Sequence, residues 1–294
     1  WQLISLAFLA VVIGAAVAAA FSRIPLKPLR KIAEAADRLA AGDFSARINL
    51  KMGGELQELN TSFNNMANEL EQSQMLRSDF INNFSHEFKT PVTSIRGFAK
   101  MIREHNLSRE ETDEYLDIII AESDRLVDLS ANVLNLSKVE NQTILTNAAE
   151  FNLSEQMRRV IVLLENRWEE KNLFINLNCS EVYINGNEEM LRQVWINLID
   201  NAIKFADKDS EINITILQEA KFVSVTVSDR GEVIAPEVLG RIFDKFYQGD
   251  TSHGVKGNGL GLAVAAKIVD LHKGSISVTR SDEEQTAFEV RLRR

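Results

Sequence analysis

The chain has 294 residues and a formal net charge of −9, a length that allows two or three domains. The acidic balance, with no basic run interleaved with aromatics, argues against a nucleic-acid partner. A single cysteine, Cys179, excludes an internal disulfide, and beside four scattered histidines it leaves no structural zinc pattern.

In chain order, the first 22 residues, Trp1 to Ser22, carry no charge and are mostly Leu, Ile, Val and Ala. As a helix they would measure about 33 Å, enough for the hydrocarbon core of a bilayer. Arg23, Lys27, Arg30 and Lys31 follow, which puts the C-terminal side in the cytoplasm. A signal peptide is the competing reading. It is weaker, because no basic residue precedes the apolar run and helical sequence continues out of it. Opening on Trp1 inside this segment, the chain reads as a fragment lacking whatever precedes the membrane.

Two short amphipathic helices are expected next, one on Leu29, Ile32, Ala36 and Leu39, the other on Leu56, Leu59, Phe63, Met66 and Leu70. Between them, residues 41–48 and then Lys51-Met-Gly53-Gly54 are loop chemistry. Such short stripes call for a second copy, as in a parallel coiled coil. Pro25-Leu-Lys-Pro-Leu-Arg30, Gly42-Asp43 and Gly53-Gly-Glu-Leu56 at this spacing resemble a HAMP linker, the signal-converting module below many bacterial membrane spans. A plain coiled-coil stalk is the alternative.

The second helix is expected to run unbroken into residues 84–91, Phe-Ser-His-Glu-Phe-Lys-Thr-Pro. At 100° per residue Phe80, Phe84, Phe88, Ile95 and Ile102 share a stripe and His86 lies opposite, facing solvent. Alone, an exposed histidine is an ordinary surface residue. Pro91 is expected to bend the helix, residues 104–109 to turn, and a long helix to follow on Leu116, Ile119, Ser123, Leu126, Ser130, Val133 and Ser137. Two antiparallel helices with one apolar stripe each predict a dimeric four-helix bundle.

After Asn141 the texture changes, with a hinge expected near 142–150. Strand-like runs at 174–179, 182–185, 211–217, 222–228, 274–279 and 287–292 alternate with helical patterns at 153–171, 187–206 and 259–272. They predict an α+β sandwich, one mixed sheet with helices on one face. Cys179, in the first of these runs, reads as a buried thiol of a reducing compartment.

Four elements in this region carry chemistry. Asn197 and Asn201 share a helix face with Lys204 near by; an Asn201 amide oxygen suits Mg²⁺ and Lys204 suits phosphate. Asp229-Arg-Gly231 follows a strand, where a carboxylate can accept from an adenine amino group. Arg241-Ile-Phe243-Asp-Lys-Phe246-Tyr comes third, and Gly257-Asn-Gly259-Leu260-Gly261 opens a helix whose N–H groups can meet phosphate.

Each element alone is weak. Together, after a His-Glu hairpin, they resemble the H, N, G1, F and G2 boxes of the bacterial two-component sensor histidine kinases, with an ATP-binding domain of Bergerat (GHKL) type. With the HAMP-like linker the resemblance covers essentially the whole chain. It implies a membrane helix over 1–22, a HAMP linker over 23–74, a dimerisation and phosphotransfer hairpin over 75–145 and a catalytic ATP-binding domain over 146–294.

By the same resemblance His86 takes the γ-phosphoryl group of ATP, Glu87 orients the imidazole or accepts its proton, and Thr90 aligns a water for dephosphorylating the partner. Asn197, Asn201, Lys204, Asp229, Gly231, Phe246, Gly257, Gly259, Leu260 and Gly261 form the ATP site, Asn201 holds Mg²⁺, and residues 245–258 are a mobile lid. The implied partners are a second copy through hairpin and HAMP, a response regulator whose aspartate receives the phosphoryl group, and lipid around 1–22. The place is the bacterial inner membrane, with residues from about 23 cytoplasmic. Two positions depart from the family pattern. Val233 stands where glycine is usual, which predicts an altered lid start or nucleotide affinity, and Gln248 replaces a basic residue, leaving a phosphate contact to Lys204, Lys245 or Lys256. A gyrase- or Hsp90-like ATPase is disfavoured because Asn197 offers no carboxylate to activate water. A non-catalytic nucleotide-sensing scaffold is disfavoured by His86 and Glu87.

Overall fold

The computed structural model describes residues 1–23, 26–50, 54–105, 107–142, 144–248 and 258–294; within them the side chains of residues 2–3, 17–23 and 26–27 are not described. The chain forms two compact units, Trp1–Asn82 and Asn83–Arg294.

The first unit contains α1 (Gln2–Arg23), α2 (Leu26–Ala40) and the start of α3 (Glu55–Glu104). Among the described residues no helix is long and apolar enough to cross a membrane. A helix, Gln2–Arg23, does form where one was expected. The small core here is Ala35, Leu39, Ile48, Leu50, Phe63 and Ala67, with Ile32 and Phe44 against it. In the single chain Leu29 and Ala36 are exposed, and Ala35 is buried beside them. The reason is the connector after α2. Its alternating residues Ala46, Ile48 and Leu50 are buried and draw the inward face of α2 toward themselves.

Three asparagines four residues apart hold that connector. Asn60 Oδ1 accepts from the Leu50 N–H at 3.0 Å, and Asn64 accepts from the Ile48 N–H and donates to the Ile48 carbonyl at 3.0 and 2.8 Å. Asn68 Oδ1 accepts from the Arg47 guanidinium, which also pairs with Glu71. An extended chain has no internal ladder for its N–H and C=O groups, and these amides supply the missing partners.

In the second unit α3 continues through Pro91 to Glu104 and α4 (Arg109–Glu140) follows. Ser108 starts α4 with a full capping box, its hydroxyl accepting from the Glu111 N–H while the Glu111 carboxylate accepts from the Ser108 N–H. The fully buried residues of α4 are Glu122, Leu129, Leu136 and Val139, one helical step from the expected stripe. Ile119, Leu126 and Val133 are half-buried, because in a single chain α4 packs on the later α9 (Gly261–Leu271).

The α/β domain begins with β1 (Ala149–Asn152), which the sequence pattern did not predict and which pairs antiparallel with β3 (Tyr183–Gly186). The expected helix over 153–171 is two, α5 (Leu153–Leu163) and α6 (Glu165–Glu170). The main sheet has five strands in the order β2-β4-β5-β7-β6, with β2 (Phe174–Cys179) parallel to β4 (Glu211–Gln218) and β5 (Phe222–Asp229), β7 (Thr286–Arg293) and β6 (Ser275–Ser281) antiparallel. Ile212, Ile214, Ile216, Val223, Val225, Val227, Phe288, Val290 and Leu292 are buried, every second residue of each strand, as one covered sheet face requires. Across them lie α7 (Glu188–Phe205), through Val194, Trp195 and Leu198, and α9, through Ala265 and Ile268. Trp195 Nε1 donates to Gln156 Oε1 at 2.8 Å and Gln156 donates to the Glu188 carbonyl, so the buried polar atoms between α5 and α7 satisfy one another. A short α8 (Pro236–Leu239) completes the described helices. Cys179 is half-buried rather than enclosed.

Candidate functional site

His86 is exposed on α3, as the phase of the apolar stripe requires. Thr90, one turn on, donates its hydroxyl to the His86 carbonyl at 3.2 Å. Glu87 does not touch the imidazole in this arrangement. Its carboxylate accepts from Arg125 of α4 at 2.9 Å, both side chains being about one-quarter exposed. Arg125 is a residue the sequence reading missed: it stands 38 positions away, and no local motif marks it.

The pocket elements meet at one end of α7. Asn197 Nδ2 donates to the Gly261 carbonyl at 2.9 Å, and its Oδ1 accepts from Gln193. The first asparagine thus fixes the start of α9, whose cap residue Leu260 is fully buried and offers no side-chain cap. Among the described residues no side chain caps the first N–H groups of α9, the arrangement that suits an anion. Asn201 is half-buried. Lys204 is held by Asp200 at 2.7 Å, and Asp200 also pairs with Arg167 at 2.6 Å. Lys245 pairs with Glu140 of α4. Both described lysines nominated for phosphate are therefore neutralised by carboxylates here.

Asp229 ends β5 at a core-facing position and is only 4% exposed. Its Oδ1 is buried without a hydrogen-bond partner. Burial, and secondarily the charge of Asp207, push its pKa up to about 7, with Lys171 pulling it back. An orphaned buried acceptor is costly, and a donor delivered by a ligand would satisfy it. Beside it, Thr286 is the cross-strand partner of Asp229, buried, with its hydroxyl donating to the Glu232 carbonyl and lying 3.0 Å from the Ser281 hydroxyl. The sequence reading missed Thr286 too. Its signal was a polar residue in register with the core-facing Phe288, Val290 and Leu292.

The glycines have different physical reasons. A Cβ on Gly231 would stand 2.0 Å from the Phe205 carbonyl oxygen, so the close approach there is made by the chain's own backbone rather than reserved for a ligand. Gly259 has φ +61° and faces the Phe246 backbone. Phe246 itself is left-handed at φ 59° and donates its N–H to the Gly259 carbonyl at 2.8 Å, which ties the third element to the fourth. Val233 is exposed and is not among the residues with positive φ, so valine carries no backbone strain. Gly257, Lys256 and most of the expected lid lie outside the described residues.

Comparisons with known proteins follow the same division. Residues 186–294 match the family described as histidine kinase-, DNA gyrase B-, and HSP90-like ATPase. Residues 76–142 match the His Kinase A (phospho-acceptor) domain and residues 21–72 the HAMP domain. The heme sensor protein HssS of Staphylococcus haemolyticus is 32% identical over 267 residues, which cover 91% of this chain and 58% of that protein. HssS of Staphylococcus epidermidis is 33% identical over 269 residues, with 91% and 58% covered. The chain thus spans rather more than half the length of the curated relatives it matches.

Among solved structures, histidine kinase ThkA in complex with response regulator protein TrrA aligns with TM-score 0.62 and 26% identity, over 76% of this chain and 66% of that one. The Acinetobacter baumannii histidine kinase AdeS shares the fold, with TM-score 0.57 and 24% identity over 71% of this chain and 97% of that one.

Proposed function

The chain belongs to the two-component sensor histidine kinases, and on that premise we propose that it moves the γ-phosphoryl group of ATP to His86 and then to an aspartate of a response regulator. The observation that carries this reading is a pairing within one compact unit. An imidazole stands open to solvent on α3, and the pocket at the end of α7 contains a buried carboxylate oxygen with no protein partner. A ring nitrogen of neutral His86 bonds to phosphorus, the bond to the oxygen bridging the β-phosphate breaks, ADP leaves, and the ring sheds its proton. Asp229 accepts from the adenine amino group, and the N-terminus of α9 faces the phosphates. Such transfer rests on positioning and charge neutralisation. Mg²⁺ would supply part of that neutralisation. Among the described residues no three His, Cys, Asp or Glu side chains gather as a protein-built metal site needs. The ion would therefore be held by phosphate oxygens together with the Asn201 amide, as suits a cation that keeps much of its water. Thr90, beside His86, serves the reverse phosphatase reaction.

Further parts of the proposal rest on exposed apolar residues. Val127 and Leu134 on the hairpin, and Leu59, Met66 and Leu70 on α3, are exposed in the single chain, which supports a homodimer through both segments. Ile4, Leu6, Phe8 and Val11 of α1 are exposed around the helix, and the basic residues after Ser22 support a membrane span at 1–22 with a cytoplasmic remainder. Domain limits follow as 1–22, 23–74, 75–145 and 146–294. Incubation with γ-labelled ATP and Mg²⁺ tests the central step: an acid-labile, alkali-stable label appears in the wild type and is absent from His86→Gln. Alkali-labile labelling of Ser or Thr, or no label at all, refutes it.

A further inference from the structure

Lys171 follows α6 as its C-cap residue and is half-buried. Its ammonium has three N–H donors, and all three are used on one target. They reach the carbonyls of Ile203, Lys204 and Ala206 at 2.9, 2.6 and 3.2 Å. These are terminal carbonyls of α7, which have no partner within the helix, and a cation there also meets the negative end of the helix dipole.

What the clamp holds is the junction between two elements of the nucleotide pocket. Just past α7, Ala206 bridges to Gly231, and the Asp207 N–H donates to the Arg230 carbonyl at 2.7 Å. Gly231 has no room for even a Cβ against the Phe205 carbonyl. The last turn of α7 and residues 230–231, immediately after Asp229, therefore move as one piece. Lys171 sits on the α7 side of that piece, where burial lowers its pKa and the charges of Asp207 and Asp229 pull it back up.

We propose that Lys171 is a positioning residue for nucleotide binding, its ammonium clamping the end of α7 against the loop that follows Asp229. The inference rests on the nucleotide-binding reading of the pocket. It gives the lysine a task beyond capping, because burial and Asp207 both resist a charged Asp229 while Lys171 favours it. Other charges near Asp229 are Glu211 of β4 and Arg230 in its own strand-to-loop exit. The β6–β7 hairpin adds Arg280, Glu283 and Glu284 to the same cleft, but Arg280 is committed to Asp282 and Glu284. Lys208 acts on Lys171, lowering its pKa.

The test is the affinity of the full chain for Mg-ADP, measured by calorimetry from pH 6 to 9 in wild type, Lys171→Met and Lys171→Gln. Wild-type affinity should rise with pH through a midpoint near 7 as Asp229 ionises. In Lys171→Met the midpoint should move up and affinity at pH 7 should fall below that of the wild type. Should that variant not fold, Lys171→Gln decides, since it removes the charge while keeping two of the three N–H donors on a slightly shorter side chain. A midpoint unmoved in the folded variants, or a wild-type profile flat over this range, overturns the proposal. A wild type that binds no Mg-ADP at any pH overturns instead the nucleotide reading beneath it.

Discussion

The helical hairpin and the α/β domain handle apolar surface in opposite ways. In the domain, Trp195, Ile212, Val225 and Val290 are fully buried within one chain. On the hairpin, Val127 and Leu134 remain 66% and 62% exposed, at a spacing of one heptad. A helix pair has only one inward seam, and α4 uses part of its surface on α9. A sheet covered by three helices closes its own core. The domain therefore closes its own core, whereas the hairpin leaves apolar surface open in the single chain, where the proposed second copy would pack.

The largest effect that would break this contrast falls on association. Val127→Asp with Leu134→Asp should convert the proposed dimer to monomer, as read by sedimentation or light scattering. Each buried aliphatic side chain contributes about 1.5–3 kcal/mol, so dimer affinity should drop by at least a thousandfold while nucleotide affinity stays at the wild-type value. A variant that stays dimeric would place the interface elsewhere.

Next comes Asp229→Asn, which should lower Mg-ADP affinity by about ten- to a hundredfold, because the amide oxygen still accepts but the charge that strengthens the bond is gone. Its effect on the domain's own stability runs the other way. The folded pKa, about 7, is raised above the unfolded value of 3.8. The proton is then held more tightly in the folded state, and stability falls as pH rises from 3.8 through 7. The variant should therefore melt above wild type at pH 8, with the gap closing toward pH 4. A variant that melts below wild type at pH 8 would show that Asp229 has a structural partner.

A smaller effect separates the connector from both regions. Asn64→Ala removes two hydrogen bonds to the Ile48 backbone and should destabilise residues 26–71 by about 1–3 kcal/mol. Amide exchange should quicken at Ile48 and Leu50 and stay unchanged in the α/β domain.

The smallest is a pH effect at His272. This buried ring accepts from the Asn187 N–H through Nε2 at 3.0 Å, so its Nδ1–H donates to the Ile268 carbonyl at 2.8 Å. Burial holds its pKa below 6.5. The unfolded chain takes up the proton first, so the contribution of neutral His272 is complete above pH 6.5 and declines as pH falls. Relative to His272→Gln, wild type should lose melting temperature between pH 7 and 5. A constant difference between the two would show that the ring does not titrate on unfolding. The comparison with the variant is needed because Asp229 shifts stability oppositely over this range.

Periodicity made most of the architecture readable. Alternation in Val223, Val225 and Val227 marked β5, and the run of α3 from residue 55 past His86 followed from unbroken helical sequence, whereas its continuation through Pro91 to Glu104 did not. The elements it missed are those with little side-chain signal. Strand β1 has four residues with one buried and is held by pairing with β3, a partner distant in sequence. At the site, motif spacing nominated Asn201, Asp229 and the glycines, because glycine and carboxylate positions are local in sequence.

By itself, then, the sequence determined where helices and strands form and that His86 faces solvent, since both follow from the period of apolar residues. Only the tertiary structure decided what each polar group is bonded to. It gave Glu87 to Arg125 and Asn197 to the start of α9, and it held Lys204 with Asp200 and the end of α7 with Lys171. Apart from Lys204 with Asp200, an i,i+4 pair within α7, those pairings join residues far apart along the chain. They are fixed by which faces the packed core brings within hydrogen-bond reach, a constraint that no local pattern carries.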